Sequence, residues 1–352
     1  MDKKINEIGS EFDFNRDFYT EKSNGRFENG LLTYSGRIAI RAAVSDILEQ
    51  HSIDRAWLPS YCCDSMVAPF RDLGIKVCFY SVELDPCNGK TVRGEFEASK
   101  NDVVLTMGYF GFDDEGNTEL VKKCRYNGIS VIEDRTHTLF CKDDFIADYR
   151  VASLRKWFPI ASGGFAEKRE ASLCRPLDTC NGEIVDLRIS AMKEKSAYLA
   201  GNTDADAKKV FMDKFKSVNE SFSEIRGDVS IDVWSENVLM HTDLDAVSER
   251  RRQNARILLD GLVGIEKITP IFQTLEDTCT PLFVPILTDR RAELQKYLAE
   301  NLVFCPAHWP RHSENANSEL YIRELSLVCD QRYGKEEMER IVALIKDFFK
   351  EF

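Results

Sequence analysis

The sequence predicts an α/β fold: a large, mostly parallel sheet flanked by helices, followed by a smaller C-terminal α+β domain. Three observations carry this. Strand and helix patterns alternate regularly from residue 36 to residue 133, and such alternation implies a parallel sheet covered on both faces. From about residue 236 the texture changes to a helix, a strand, a helix, a strand and a closing helix. A chain of 352 residues is also long enough for one large and one small domain. The expected organisation is an arm over 1–30, a large domain over 31–235 and a small domain over 236–352.

Gly36 to Gln50 reads as a helix, because Ile38, Ala39, Ala42, Ile47 and Leu48 recur at helical spacing. Arg55 to Pro59 is a short strand. Asp64 to Leu73 is a helix that Gly74 ends. Lys76 to Val82 alternates as a strand does, and Asp102 to Met107 is an apolar run suited to a buried strand. Glu119 to Tyr126 is a helix and Gly128 to Glu133 the next strand. Residues 166–229 read as mostly helical and strongly charged. Further on, a helix carries Arg250-Arg251-Arg252. Leu282 to Leu287 is a strand, Asp289 to Asn301 a helix, Leu320 to Val328 a strand and Lys335 to Phe352 the closing helix. Residues 1–30 are polar, with Phe12, Phe14, Phe18 and Tyr19 scattered among them, and read as a surface arm in reach of a partner subunit.

Composition is that of an ordinary globular protein, 43% hydrophobic and 30% charged. Its 47 basic residues against 59 acidic ones give a net charge of −12, which argues against nucleic acid as a partner. Met1-Asp2-Lys3-Lys4 is followed by polar residues rather than the apolar segment of a secretory signal. No apolar run approaches the roughly 20 residues that cross a bilayer. The expectation is a cytoplasmic protein with no membrane partner. The 11 cysteines form no C-x-x-C pair, and Cys62-Cys63 is the one close pair. They read as reduced, small core residues, with no metal site.

The chemistry is concentrated between Val131 and Gly164. Asp134 ends a strand, His137 follows three positions on, and then come Ser153-Leu154-Arg155-Lys156 and Gly163-Gly164. An Asp and a Lys at two strand ends suit pyridoxal phosphate. That cofactor needs a lysine amine to hold its aldehyde as a Schiff base and a carboxylate to keep its ring nitrogen protonated. Parallel sheets place ligands at these carboxyl ends. Arg155 and the apolar Trp157-Phe158-Pro159 favour the neutral, nucleophilic amine at Lys156. His137 would hydrogen-bond the ring hydroxyl. Ser153 would hold the phosphate, together with Ser35-Gly36-Arg37 at a helix N-terminus. Tyr61 would stack on the ring. His308, Trp309 and Arg332 would read substrate, Arg332 through a donor carboxylate.

Each residue also has a structural alternative. Lys156 alone suits a surface lysine, Asp134 a turn cap, Ser35 a simple N-cap, His137 and Tyr61 packing residues, and Arg332 a surface ion pair. Neither a Walker A loop nor G-x-G-x-x-G is present, so a nucleotide-phosphate loop is not the better explanation.

These motifs resemble the DegT-type aminotransferases, a branch of the fold-type-I pyridoxal phosphate enzymes that often act on nucleotide sugars. The resemblance runs from about Leu32 to Lys346. It rests on Ser35-Gly36-Arg37, Leu58-Pro59-Ser60-Tyr61, Glu133-Asp134-Arg135-Thr136-His137, Ser153-Leu154-Arg155-Lys156 and Gly163-Gly164. It implies a fold-type-I domain pair and a homodimer with active sites at the subunit interface. It also implies Lys156 as cofactor attachment and proton shuttle, Asp134 on the ring nitrogen and His137 on the ring hydroxyl. The expected activity takes an amino group from an amino acid donor to a keto acceptor, such as a nucleotide-linked keto sugar for surface polysaccharide synthesis. The chain departs from the family's usual pattern in three places: the spacing of Ser153 from Lys156, the position of the aromatic at Tyr61, and the segment 166–229.

Two other classes compete. One is a cofactor-binding relative without turnover, since a fold does not fix a function. The other is a serine acyl-enzyme, because Ser153-x-x-Lys156 spells its first motif. The only Lys-Thr pair, Lys90-Thr91, lies upstream of that motif and is not followed by Gly.

Overall fold

The computed structural model describes residues 5–350 except 86–89, 113, 143, 202–205 and 310–318. The polar start at Met1–Lys4 and the last two residues of the expected closing helix lie outside the described residues. The fold is α/β, built on a seven-stranded sheet. Its strands are β1 (Leu31–Thr33), β2 (Arg55–Pro59), β3 (Lys76–Tyr80), β4 (Asp102–Met107), β5 (Ser130–Asp134), β6 (Tyr149–Ser153) and β7 (Gly164–Lys168). The spatial order is β1-β7-β6-β5-β4-β2-β3. All neighbours run parallel except β7, which is antiparallel to both β6 and β1.

Helices α1 (Gly36–Gln50), α2 (Asp64–Asp72) and α3 (Glu115–Tyr126) connect the early strands. The first two stand where the sequence places them. Helix α3 starts earlier than its pattern suggests. Its first turn holds Gly116, Asn117 and Thr118, poor helix formers, but the Asp114 side chain caps it by accepting from the Asn117 N–H. Strand β6 supplies the strand expected before Lys156, whereas β7 carries no clear alternation and is recognisable only from its pairing.

Residues 166–229 supply β7 and two antiparallel helices, α4 (Gly182–Leu199) and α5 (Ala207–Glu224), packed on each other. Next come α6 (Val233–Met240), which contains the expected boundary at 235/236, and α7 (Leu244–Leu262). The C-terminal part has a three-stranded antiparallel sheet of β8 (Thr269–Pro270), β9 (Phe283–Leu287) and β10 (Glu324–Val328). Helices α8 (Arg291–Glu300), α9 (Leu320–Arg323) and α10 (Lys335–Lys350) complete it. The strand expected over Leu320–Val328 is thus one helical turn followed by a five-residue strand. One apolar cluster joins the large sheet to this part: Val104, Leu105 and Ile132 share it with Ile286, Leu325 and Ile341.

The N-terminal arm packs on its own chain. Ile8 and Gly9 pair in parallel with Val303 and Phe304, and Ile8 is fully buried. The Phe14 ring stacks on Trp234 with centroids 5.7 Å apart. Buried Lys195 donates to the Glu11 carbonyl at 2.6 Å. Of the aromatics that suggested an arm, Phe12 and Phe14 thus anchor it, while Tyr19 is exposed. No helix of the described residues is long and apolar enough to cross a membrane, and no disulfide or metal-binding cluster occurs among them.

Candidate active site

Strands β4, β5 and β6 end side by side: Met107 is in register with Asp134, and Asp134 with Val151. Facing these ends is the start of α1. Its Ser35 N-cap accepts from the Ile38 N–H, and the other N–H groups of the first turn have no intrahelical partner. Two glycines permit this meeting. A Cβ on Gly36 would stand 2.8 Å from the Ser153 Cβ, and one on Gly164 would stand 2.2 Å from the Ser35 carbonyl oxygen. The sharp Ser-Gly and Gly-Gly motifs are thus where β6, β7 and the start of α1 touch.

The neighbours Glu133 and Asp134 have opposite surroundings because successive strand side chains face opposite sides. Glu133 is paired with Arg150 at 3.0 Å and Arg135 at 3.3 Å, and accepts from Asn117. Asp134 faces the strand-end cavity and is 5% exposed. Its Oδ1 accepts the Thr136 N–H at 2.7 Å. Burial raises its pKa, while Thr136 and Lys156 oppose the rise.

His137 is fully buried. Its Nδ1 accepts the Phe110 N–H at 3.2 Å, so the ring proton is assigned to Nε2. That Nε2 has no hydrogen-bond partner among the described residues. Burial, then Lys156 and His308, push its pKa well below the ordinary imidazole value.

Lys156 closes a single 3-10 turn after β6. The turn is stitched down on both sides. The Trp157 Nε1 donates to the Thr136 carbonyl at 2.7 Å, the Ser153 N–H to the Thr136 hydroxyl at 2.9 Å, and the Gln331 side chain to the Trp157 carbonyl at 2.6 Å. The Lys156 Nζ lies 6.0 Å from the Trp309 ring centroid.

Lys156, Asp134, His137, Ser153, Ser35, Gly36, Arg37 and Trp309 all line one cavity of about 330 Å³. Three other expected residues do not. Tyr61 is buried below Trp309, with ring centroids 4.9 Å apart and its hydroxyl donating to the His308 carbonyl at 2.5 Å. It supports Trp309, which lines the cavity. His308 and Arg332 line a second cavity of about 770 Å³, under the arm and the small domain. His308 donates its N–H to Glu324 at 2.7 Å and pairs Nδ1 with the Ser326 hydroxyl at 2.8 Å. The Arg332 guanidinium is taken up by Asp330 at 2.8 Å and by the Glu11 and Ser10 carbonyls at 3.0 and 3.2 Å. It holds the arm rather than facing open space.

Sequence reading missed Glu11, Arg188, Asn219 and Ser223, which also line the first cavity. They come from the arm and the α4–α5 pair, and no local pattern links segments so distant in the chain. Arg37 donates to the Ser223 carbonyl at 2.8 Å, and Arg188 pairs with Glu11 at 2.8 Å. Burial would raise the Glu11 carboxyl, but Arg188, Asn219 and Arg155 outweigh it and lower it from 4.5 to about 2. A carboxyl with a depressed folded pKa stabilises fully above its unfolded value, and that stability is lost as pH falls through the folded one. Between pH 4.5 and about 2 the arm should therefore lose about 1–2 kcal/mol of attachment after solvent screening. Thermal melts on acidification test this: Glu11→Gln should flatten the wild-type decline, and parallel declines would refute it.

No family model matches the chain, and no curated protein matches it in sequence. Solved structures do match in shape. The aminotransferase TlmJ from Streptoalloteichus hindustanus superposes with a TM-score of 0.63 at 15% identity, covering 92% of this chain and 86% of that one. A DegT DnrJ EryC1 StrS aminotransferase from Brucella abortus gives 0.62 at 14% identity, with the same coverage of 92% and 86%. Spr1654 of Streptococcus pneumoniae in its PLP-form gives 0.62 at 13% identity, covering 93% and 88%. The chain shares the fold of these proteins over nearly its whole length.

Proposed function

We propose that the protein is a pyridoxal phosphate-dependent aminotransferase that moves an amino group from an amino acid donor to a keto acceptor. The observation that carries the reading is the convergence of Asp134, His137 and Lys156 with the Ser35–Gly36–Ser153 cradle on one cavity at the strand ends. The shared fold with aminotransferases, one of them in its PLP-form, supports it.

The side chains fit the cofactor. The buried Nε2–H of His137 lacks a partner among the described residues, as a donor awaiting an oxygen would. Asp134 is a buried carboxylate facing the same space, and a cationic ring nitrogen would compensate its burial. The close approach at Gly36 leaves the α1 N-terminus open to a phosphate, with the Ser35 and Ser153 hydroxyls beside it. When bound, pyridoxal phosphate supplies an aldehyde that captures amines and a ring that draws electrons from the adjoining carbon.

The chain's own residues supply the rest. Lys156 Nζ would hold the cofactor and then carry a proton to and from the donor's α-carbon. Asp134 would keep a proton on the ring nitrogen. His137, neutral because of its burial, would donate Nε2–H to the ring oxygen. Trp309 would limit water above Lys156.

The acceptor is proposed to be a nucleotide-linked keto sugar. The adjoining cavity of about 770 Å³ offers room for a molecule larger than an amino acid. A homodimer is part of the same proposal, and light scattering measures it.

The purified protein should be yellow with pyridoxal phosphate, and borohydride should bleach it while fixing the cofactor to Lys156 in a peptide map. An amino donor should then convert the visible band, with pyridoxamine phosphate as product. A protein that stays colourless with added pyridoxal phosphate would sink the reading. One that binds the cofactor yet responds to no donor would be a cofactor-binding relative without turnover.

A further inference from the structure

Three residues line both cavities: Glu11, Arg155 and Lys156. They mark the junction where the cofactor pocket opens into the larger space. Glu11 is committed to Arg188 at 2.8 Å and Asn219 at 3.1 Å. Lys156 is the proposed attachment point. Arg155 has neither ion pair nor hydrogen bond among the described residues, and its Nε is buried. The face of Phe222, 3.9 Å from its guanidinium carbon, holds it in place instead of an acid.

The local charge is unbalanced. Arg155 and Arg188 face one carboxylate, that of Glu11. Burial, and then Arg188, lower Arg155 to about 9, and Glu11 and Tyr34 only partly oppose this. A half-buried cation with no anionic partner among the described residues suits a ligand anion. Arg332, the residue expected to read a carboxylate, is by contrast saturated by Asp330 and the arm.

We propose that Arg155 reads the carboxylate of the amino donor at the junction of the two cavities. This rests on the aminotransferase reading. In an α-amino acid the carboxylate sits on the carbon that bears the amine. A donor whose amine takes the place of Lys156 Nζ therefore carries its carboxylate into the space beside that lysine, which Arg155 borders. The planar guanidinium fork can grip both oxygens. The same chemistry would also suit a phosphate, so the test separates the two.

Full-length wild type, Arg155→Gln and Arg155→Lys are loaded with pyridoxal phosphate. They are titrated with L-alanine and with isopropylamine, in which a methyl group replaces the carboxylate, and the visible spectrum is followed. Succinate binding is measured by calorimetry with and without cofactor, and cofactor retention by gel filtration. Arg155→Gln should raise the L-alanine requirement about 10- to 100-fold more than the isopropylamine requirement, which reports any effect passed through Lys156. Arg155→Lys should fall between, because charge remains but the fork is lost. Succinate binding should weaken about tenfold or more in Arg155→Gln. Should Arg155→Gln not fold, Arg155→Lys must still shift the alanine-to-isopropylamine ratio by about threefold.

Equal weakening toward both amines, with cofactor lost on gel filtration, would place Arg155 in the phosphate cradle and overturn the proposal. Undiminished succinate binding in Arg155→Gln, or none in wild type, overturns it too. If wild type never attaches the cofactor, the aminotransferase reading fails separately. Loss of succinate binding in Arg155→Gln would then still mark an anion site.

Discussion

Lys156→Ala should reduce transamination by about 10³-fold or more, because it removes both the anchoring amine and the proton carrier. The fold should be indifferent to the change. The Lys156 Nζ makes no hydrogen bond or ion pair among the described residues, and its contact is the Trp309 ring at 6.0 Å. Truncation therefore strands no buried partner, and stability should stay within about 0.5 kcal/mol of wild type. Steady-state assays and thermal melts on the same preparation check both halves. The variant should still take up pyridoxal phosphate through the cradle at Ser35, Gly36 and Ser153, but borohydride should fix none of it to the protein. Activity within about tenfold of wild type would refute the role of Lys156.

Asp134→Asn should cost about 10²–10³-fold in kcat. The substitution is nearly isosteric and keeps Oδ1 for the Thr136 N–H that donates to it at 2.7 Å. What disappears is the charge opposite the ring nitrogen. Burial raises the Asp134 pKa, so the ionised carboxylate has an unfavourable site until a cation arrives. Removing that charge should leave the cofactor-free protein as stable as wild type or more so. Cofactor binding should loosen, while the amino donor KM changes little, because in the proposed role the carboxylate would hold the ring nitrogen rather than the donor. A kcat within about fivefold of wild type would show that Asp134 only caps its turn.

Much of this site is readable in one dimension because its parts are short motifs at element ends. Asp134 and Lys156 stand out because a strand end positions a residue locally, and the Gly-Gly at 163–164 is required by a close backbone approach that any sequence must satisfy with glycine. Helix α1 is legible from its apolar spacing and its Ser cap. The Leu320–Val328 segment misleads because a single turn of helix before a strand leaves no periodicity to detect.

By itself the sequence determined the alternating α/β architecture, the Asp-His-Lys set that shares one cavity and the glycines that let β6, β7 and the start of α1 meet. All of these depend on periodicity or on neighbours within a few residues. Only the tertiary structure decided that Trp309 lines the cavity while Tyr61 lies beneath it. It also decided that Arg332 holds the arm, that Arg155 is left without an anion, and that Glu11 and Arg188 meet over the site. Those outcomes depend on contacts between segments up to more than 300 positions apart, as between Glu11 and Arg332. Burial and charge balance are properties of the assembled surroundings, and no local pattern encodes them.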